Sequence, residues 1–214
     1  MADLSDDLSD DLFDDLDAVV GAALDALAAV RDTDWDVPAP GLTWTCWEVV
    51  EHVADDLFAY AGQVALRTPQ TETYVPFGYD SREGGPHLTI TAEPERGNAG
   101  LLQVLEACGG FLSAVGRRAA PGMRGWHPYG VSDPGGFAAM GTVEVLVHVH
   151  DVADPLGVHW RPDEAVVARA LDRLFPDVPR NAAAAWPTLL WATGRGDLPG
   201  QRRRDTWRWD SSVR

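Results

Sequence analysis

The stretch Glu144-Val-Leu-Val-His148-Val-His150-Asp151 places ionisable side chains in a segment that is otherwise apolar from about Phe137 onward. On an α-helix with 3.6 residues per turn, His148 lies about 40° from Glu144 around the axis, and Asp151 lies roughly 20° to the other side. These three side chains therefore form one polar stripe along a helix of Val, Leu, Ala and Met. Burying such groups is costly unless they are paired or bind a metal. We therefore expect the fold to hold the stripe against a further ligand from another element.

The composition is that of one domain, or of one domain with an extension. The chain has 214 residues, and 45% of them are hydrophobic, which is enough for a sizeable core. No apolar run reaches the length of a transmembrane helix, and the acidic N-terminus is unlike a signal peptide. We therefore expect a cytoplasmic protein without a membrane partner. In that compartment Cys46 and Cys108 are expected to be reduced thiols of the core.

The charged residues exclude several functions. A formal net charge of −16 disfavours phosphate-rich partners, so we expect binding to neither DNA nor RNA. The chain has no lysine, which excludes Schiff-base chemistry and a P-loop lysine. Ten of the 17 arginines lie beyond residue 160. We expect this basic C-terminal part to pair with the acidic first helix; binding of an anionic ligand is the alternative.

Hydrophobic periodicity predicts an all-α fold with four long helices and two shorter ones. The long helices are predicted at residues 3–30, 45–66, 98–119 and 135–153, and the shorter ones at 163–175 and 181–193. The segment Thr45-Cys-Trp-Glu48 matches a capping box at the start of the second helix. Asn98 and Asn181 are the predicted N-caps of the third and sixth helices, and Asp154-Pro155 is expected to end the fourth.

Two connections lack helical periodicity. Residues 68–97 are rich in Pro, Gly and Thr, and residues 87–92 within them alternate like a short strand or an extended segment. Loops of this length in a compact domain are usually functional or mobile, and Tyr74, Phe77 and Tyr79 are candidates for covering a site. Residues 121–136 are rich in Gly and Pro and are expected to form a turn.

The polar stripe can supply two ligands to a metal ion. Glu144 and His148 are four residues apart on one helix, and His52 on the second helix can supply a third donor. Two imidazoles and one carboxylate leave a divalent ion with open positions, as in catalytic sites, and suit Zn, Ni and Fe(II) alike. Asp151 and Asp56, each one turn from a ligand, are expected to support the ligands from behind.

Other interpretations of the same residues remain open. A Glu/His pair at this spacing is common in helices, and one histidine beside an apolar face is more often a boundary residue of the core. The stripe can therefore belong to a hydrogen-bond network without a metal. His150 lies about 160° around the helix from His148, so both cannot bind the same ion, and we expect His150 to face a neighbouring element.

These motifs resemble a known family. Trp47-x4-His52, followed about ninety residues later by Glu144-x3-His148-x2-Asp151, resembles the mycothiol-dependent maleylpyruvate isomerase N-terminal family of the DinB-like metalloprotein superfamily. The segments Leu189-Leu-Trp-Ala-Thr-Gly-Arg195 and Trp207-Arg-Trp209 are similar to tails seen in that family. The resemblance extends over nearly the whole chain.

The resemblance implies a DinB-like four-helix bundle over residues 1–157 and a short C-terminal helical extension, packed on the bundle, over residues 158–214. It implies that His52, Glu144 and His148 bind a divalent metal, commonly zinc, which holds the thiolate of a small thiol such as mycothiol. In the isomerase, the thiol adds to a double bond of the substrate, rotation follows, and elimination returns the thiol. The implied partners are a small thiol and a small electrophile, and a homodimer is allowed.

Two departures from the family pattern limit the functional prediction. The isomerase carries a separate α/β C-terminal domain, whereas mostly helical segments follow residue 157 here, and no motif for substrate carboxylates is found. The sequence therefore predicts a thiol-dependent metalloenzyme of the isomerase or S-transferase type. The alternative is a non-catalytic DinB-like module that binds a metal or a ligand. Neither the catalytic nor the substrate-binding residues are assigned by the sequence.

Overall fold

The structure, a computed structural model, describes residues 4–120, 122–179 and 184–214. In these residues the chain is mostly helical with one small hairpin, which confirms the predicted all-α class. The elements in chain order are α1 (Leu4–Ala28), α2 (Cys46–Ala65), a 3₁₀ turn (Pro94–Arg96), α3 (Gly97–Gly116), β1 (Gly125–His127), β2 (Gly130–Ser132), α4 (Pro134–Leu156), α5 (Glu164–Leu174) and α6 (Ala185–Ala192).

Helix α4 is the most buried element. It packs against α1, α2, α3 and α5, and every residue from Pro134 to Val149 is buried. Gly141 lies where leucines of three helices meet: a Cβ atom at this position would be 2.8 Å from Leu57, 3.0 Å from Leu112 and 3.3 Å from Leu16. The missing side chain lets α4 approach all three helices closely, so any polar group on α4 must find its partners inside the protein.

The ends of α2 and α4 follow from local hydrogen bonds. The predicted capping box is confirmed: Glu48 N donates to Thr45 Oγ1 over 3.2 Å, and Thr45 N donates to Glu48 Oε2 over 2.9 Å. Asp133 caps α4 by accepting a hydrogen bond from Gly136 N at 2.6 Å. The predicted stop at Asp154-Pro155 is wrong, since α4 continues to Leu156. Pro155 removes one amide donor of the helix, but it lies in the last turn, so no further turn depends on that hydrogen bond.

Asn98 is not an N-cap. The third helix begins at Gly97, directly after the 3₁₀ turn, and the Asn98 side chain donates hydrogen bonds of 2.8 Å and 2.9 Å to the carbonyl oxygens of Arg31 and Thr33. The local sequence resembles a capping position, but a tertiary contact with the turn that follows α1 uses the side chain. The predicted cap at Asn181 lies outside the described residues. Cys46 and Cys108 are both buried and unpaired, as expected for core thiols.

The long connection between α2 and α3 is attached to α2 by buried carboxylates. Asp55 Oδ1 accepts hydrogen bonds of 2.7 Å from the amides of Thr89 and Ile90, and Glu51 accepts one of 2.9 Å from Ala92 N. Residues 87–92, predicted as a short strand or an extended segment, form no strand and make one isolated bridge, between Asp80 and Leu88. Because side-chain acceptors of α2 satisfy the amides, this segment needs no neighbouring strand.

The predicted turn at residues 121–136 contains a hairpin that the sequence did not indicate. β1 and β2 pair antiparallel, with Trp126 opposite Val131 and Gly125 opposite Ser132. Each strand has only three residues, too few for a period-two pattern to be recognised. The hairpin contacts α2, so it brings its side chains near the centre of the fold.

Basic residues of the C-terminal part pair with several acidic segments. Arg169 of α5 donates to Asp15 of α1 over 2.7 Å, which agrees with the expected pairing to the first helix. Arg203 and Arg204, in contrast, contact Asp197 and Asp177, which belong to the C-terminal part itself. Helix α5 lies against α4 and α1, and α6 lies against α5. A division into two domains at residues 157 and 158 stays a prediction.

One helix contradicts the expectation that no apolar segment is long enough to cross a membrane. Pro94–Gly116 is long and apolar enough to cross a membrane by length and composition, with a mean hydropathy of 1.4. The core helix of a protein outside a membrane meets the same criterion, and this helix packs against α1, α2 and α4. Its apolar composition is therefore explained by its contacts within the fold.

We expect opposite effects on stability from alanine at two helical glycines. Gly141→Ala should lower the free energy of unfolding by about 1–3 kcal/mol, because its Cβ enters the space of three packed leucines. Gly110→Ala, the control in α3, meets no atom within 4 Å and should raise the free energy of unfolding by about 0.5–1 kcal/mol. Urea unfolding of both variants measures the difference. Equal effects of the two substitutions would contradict the packing of α4 described above.

Candidate metal centre

Helices α2 and α4 bring the three predicted ligands together. One donor atom from each of His52, Glu144 and His148 lies within 4.8 Å of the other two. The rings of His52 and His148 meet edge to face, with their centroids 5.1 Å apart. The ligand atoms of a tetrahedral zinc ion lie about 2.0–2.2 Å from it, and so about 3.4 Å from each other. The group therefore has the chemistry for a divalent ion, and its donor atoms would have to move closer together to bind one.

Glu144 and His148 form an ion pair in the metal-free protein. His148 Nε2 lies 3.1 Å from Glu144 Oε2, and both side chains are only 10% exposed. Burial alone would lower the pKa of His148, but hydrogen bonds to Asp151 and Glu144 outweigh it and raise the pKa to about 9. Burial likewise opposes ionisation of Glu144, but the contact with His148 lowers its pKa below the ordinary value. A metal ion must therefore displace a proton from His148.

Asp151 holds the other side of the His148 ring. Its Oδ2 lies 3.0 Å from His148 Nδ1, which fits the predicted supporting role. Arg195 donates from Nε and Nη2 to the two carboxylate oxygens of Asp151, over 2.8 Å and 2.7 Å. Burial would raise the pKa of Asp151, but the hydrogen bonds from His148 and Arg195 lower it to about 2. Asp151 is thus an ionised acceptor at neutral pH, and the hydrogen-bond network assigns the proton of a neutral His148 to Nδ1.

His52 is prepared differently from His148. Its Nε2 lies 3.3 Å from Asp56 Oδ2, and the ring of Trp44 packs against it with centroids 4.9 Å apart. Burial lowers the pKa of His52 to about 4, and the charge of His148 contributes. Burial and the neighbouring Glu144 carboxylate raise the pKa of Asp56 well above its ordinary value. His52 is therefore neutral at physiological pH, which is the form that binds metals.

The structure separates His150 from the centre, as the helical geometry predicted. The His150 ring packs edge to face against Trp186 of α6, with centroids 5.6 Å apart. The candidate ligand group of His52, Glu144 and His148 does not include it. Two histidines only two residues apart thus lie on opposite faces of α4.

Aromatic side chains surround the centre on the hairpin side. The Tyr60 hydroxyl donates to Glu144 Oε1 over 3.5 Å, and its ring lies 6.0 Å from the ring of His127. Burial lowers the pKa of His127 to about 4, and its Nδ1 accepts a 3.1 Å hydrogen bond from the amide of Tyr129. His127 therefore remains neutral with its proton on Nε2. Trp209 closes this side, with its ring 5.3 Å from that of His127.

The three exposed aromatics of the long connection have different surroundings. Tyr74 packs against Trp126 of the hairpin at a centroid distance of 4.4 Å. Phe77 packs against Phe58, and Tyr79 against His87. Of the three, Tyr74 is the side chain in contact with the hairpin next to the centre.

Sequence reasoning missed three residues of the centre. Tyr60 lies eight residues after His52, so it shares a face of α2, and this spacing could have identified it. His127 comes from the unrecognised hairpin, and Arg195 is 44 residues from its partner Asp151. His127 carries no local signal. Arg195 ends a segment that resembles the family's tails, but only the tertiary fold reveals its pairing with Asp151.

The helical fold and the group of two histidines and one carboxylate define an all-α protein with a candidate divalent-metal centre. Comparison with protein families gives a match to the mycothiol maleylpyruvate isomerase N-terminal domain over residues 16–153. This match covers more than half of the chain, so the protein belongs to that family, as its motifs indicated. His52, Glu144 and His148 lie inside the matched residues, whereas Arg195 lies outside. Comparisons with curated proteins and with solved structures give no match.

We expect the two histidines of α4 to titrate in opposite directions in the metal-free protein. The pKa of His148 should be about 9, whereas burial should keep the pKa of His150 below its ordinary value. Because the folded pKa of His148 is raised, its stabilisation is complete below pH 6.5 and is lost as the pH rises through about 9, which is worth roughly 3 kcal/mol. NMR titration of the imidazoles measures both values. A His148 midpoint at or below 6.5 would contradict the ion-paired geometry.

Proposed function

We propose that this protein is a divalent-metal-dependent enzyme that uses a low-molecular-weight thiol, such as mycothiol, on a small electrophile in the cytoplasm. The reaction is of the isomerase or S-transferase type. The observation that carries the proposal is the convergence of His52, Glu144 and His148 from two packed helices. Membership of the mycothiol maleylpyruvate isomerase N-terminal family supports the choice of thiol.

We assign the fold to the DinB-like four-helix bundle, formed by α1–α4, with residues 158–214 as a helical extension packed on it. The mutual packing of α1, α2, α3 and α4 supports this assignment, and the contacts of α5 with α1 and α4 support the packed extension. In such a bundle, two facing helices hold the ligands rigidly, which suits a site that must keep open positions.

The ligand set fits zinc, and nickel and iron(II) are compatible with the same donors. A divalent ion held by His52, Glu144 and His148 would leave positions open and favour the thiolate form of a bound thiol at neutral pH. His52 is the most exposed of the three side chains, at 21% against 10% for the others. We therefore assign the approach of the thiol to the side of the centre where His52, Asp56 and Trp44 lie.

The surrounding residues have distinct roles in this proposal. The Tyr60 hydroxyl donates to Glu144 and limits the rotation of its carboxylate. His127 stays neutral behind Tyr60, so it adds no positive charge that would compete with a cation. The aromatic rings of Tyr60, His127 and Trp209 exclude water from the hairpin side, which strengthens electrostatic interactions within the centre.

A non-catalytic module is the second candidate, and a specific observation favours it. The polar stripe is satisfied without an ion, because His148 contacts both Glu144 and Asp151, and Arg195 pairs with Asp151. A protein that uses these groups only as an internal network would keep its fold and bind neither metal nor thiol. Metal and thiol binding therefore separate the two candidates.

We expect the purified wild-type protein to bind about one zinc per chain, because the three donors can share one ion. His52→Ala and His148→Ala should each lose most of this zinc. His159→Ala is the matched control, since His159 is exposed and lies in the loop after α4. Elemental analysis after dialysis measures the stoichiometry. If both site variants retain the zinc of the wild type, the assigned centre is wrong.

We expect mycothiol to bind the zinc-loaded protein at least about tenfold more tightly than the metal-free protein, because the ion stabilises the thiolate. Calorimetric titration of both forms measures the difference. The S-methylated thiol is the control and should bind equally weakly to both forms, since its sulfur cannot ionise. Zinc binding without this thiol preference would exclude the enzyme and leave a metal-binding module.

A further inference from the structure

Arg195 connects the C-terminal part of the chain to a metal-ligating side chain. It follows α6, outside the residues that match the family, and is 16% exposed. Its Nε and Nη2 donate to Asp151, and its Nη1 lies 3.3 Å from the carbonyl oxygen of Thr193. Its Cζ atom lies 6.0 Å from the ring centroid of Trp207. All three nitrogens of the guanidinium group are thus engaged within the protein, which disfavours direct binding of a ligand.

The Asp151 carboxylate is held by both of its neighbours. Oδ2 accepts from Arg195 Nη2 at 2.7 Å and lies 3.0 Å from His148 Nδ1, while Oδ1 accepts from Arg195 Nε at 2.8 Å. Two parallel donors fix the plane of a carboxylate, which one donor cannot do. The plane of Asp151 in turn fixes the direction in which His148 Nδ1 points, and therefore the direction of Nε2 towards Glu144.

We propose that Arg195 is a positioning residue of the metal centre, which acts through Asp151 to orient His148 Nε2 towards the ion. The C-terminal extension then completes the centre instead of only covering the helices. This inference rests on the proposed metal binding at His52, Glu144 and His148. It goes beyond the family match, which ends at residue 153.

Charge and orientation predict opposite effects of removing Arg195. Its positive charge repels a cation, so by charge alone its loss would strengthen metal binding. Orientation predicts weaker metal binding. Without the two parallel donors of Arg195, the Asp151 carboxylate can rotate and release the imidazole of His148. In the wild type, the charges of Arg195 and Asp151 neutralise each other, so the repulsion between Arg195 and the metal ion is largely cancelled. We therefore expect orientation to decide the change in metal affinity. Groups that hold a ligand from behind typically contribute 10–100-fold to metal affinity.

The test is a double-mutant cycle on zinc affinity, measured by competition with a chelating dye. Arg195→Gln and Asp151→Asn should each weaken zinc binding by about tenfold or more. The double variant should lose no more zinc affinity than Asp151→Asn alone, because Arg195 acts only through Asp151. Additive losses would assign Arg195 an independent structural role, and unchanged or tighter binding by Arg195→Gln would show that charge dominates. Either result overturns the proposal.

Two further variants control for the segment and for charge. Arg203→Gln alters an exposed pair with Asp197 in the same segment and should bind zinc like the wild type. Arg195→Lys keeps the positive charge but replaces the two parallel donors of the guanidinium group with a single ammonium group. The zinc affinity of this variant should therefore also fall. If Arg195→Lys binds zinc as tightly as the wild type, the role assigned to the two parallel donors of Arg195 is wrong.

A second readout needs no metal. In the metal-free protein, the His148 Nδ1 proton should give a protected, downfield NMR signal because it is hydrogen-bonded to Asp151. Arg195→Gln should broaden or remove this signal, and Arg203→Gln should leave it intact. If the wild type binds no zinc, the proposed function fails, but this signal still decides whether Arg195 orients His148. An unchanged signal in Arg195→Gln would overturn the inference by itself.

Discussion

The contact of His148 with Glu144 on one side and Asp151 on the other is the constraint on which the centre depends. These groups lie on the most buried helix of the fold, where an unpaired charge would cost several kcal/mol. Each group must therefore find a protein partner or an ion. The protein solves this with a continuous line of contacts from Tyr60 to Arg195.

In the proposed metal centre, the two histidines would bind an ion from different protonation states. The pKa of His52 is lowered to about 4 by burial, so it is ready to bind a cation at neutral pH. The pKa of His148 is raised to about 9 by its carboxylate neighbours, so an ion must replace a proton there. We expect that proton also to stabilise the fold when no ion is bound, because it pairs the charge of Glu144. Metal binding and the stability of the apo fold are therefore coupled through one imidazole.

Local patterns in the sequence were sufficient for the parts of the centre that lie on regular helices. The spacing of Glu144 and His148, and the capping box at Thr45, depend only on helical geometry, and the structure places both as predicted. Asn98 was misassigned because its side chain donates hydrogen bonds to the turn after α1 and does not cap its own helix. The hairpin and Arg195 were missed for a related reason: long-range packing, which leaves no periodic trace in the sequence, brings them to α4.

The central claim is that His52, Glu144 and His148 bind one divalent ion that keeps an open position for a thiol. X-ray crystallography of the zinc-loaded protein at the zinc absorption edge tests it most directly. The account predicts one anomalous peak at about 2.0–2.2 Å from a nitrogen of each histidine and an oxygen of Glu144, with a sulfur at about 2.3 Å after addition of mycothiol. A peak bound by other side chains, or no peak with the internal network intact, would contradict it.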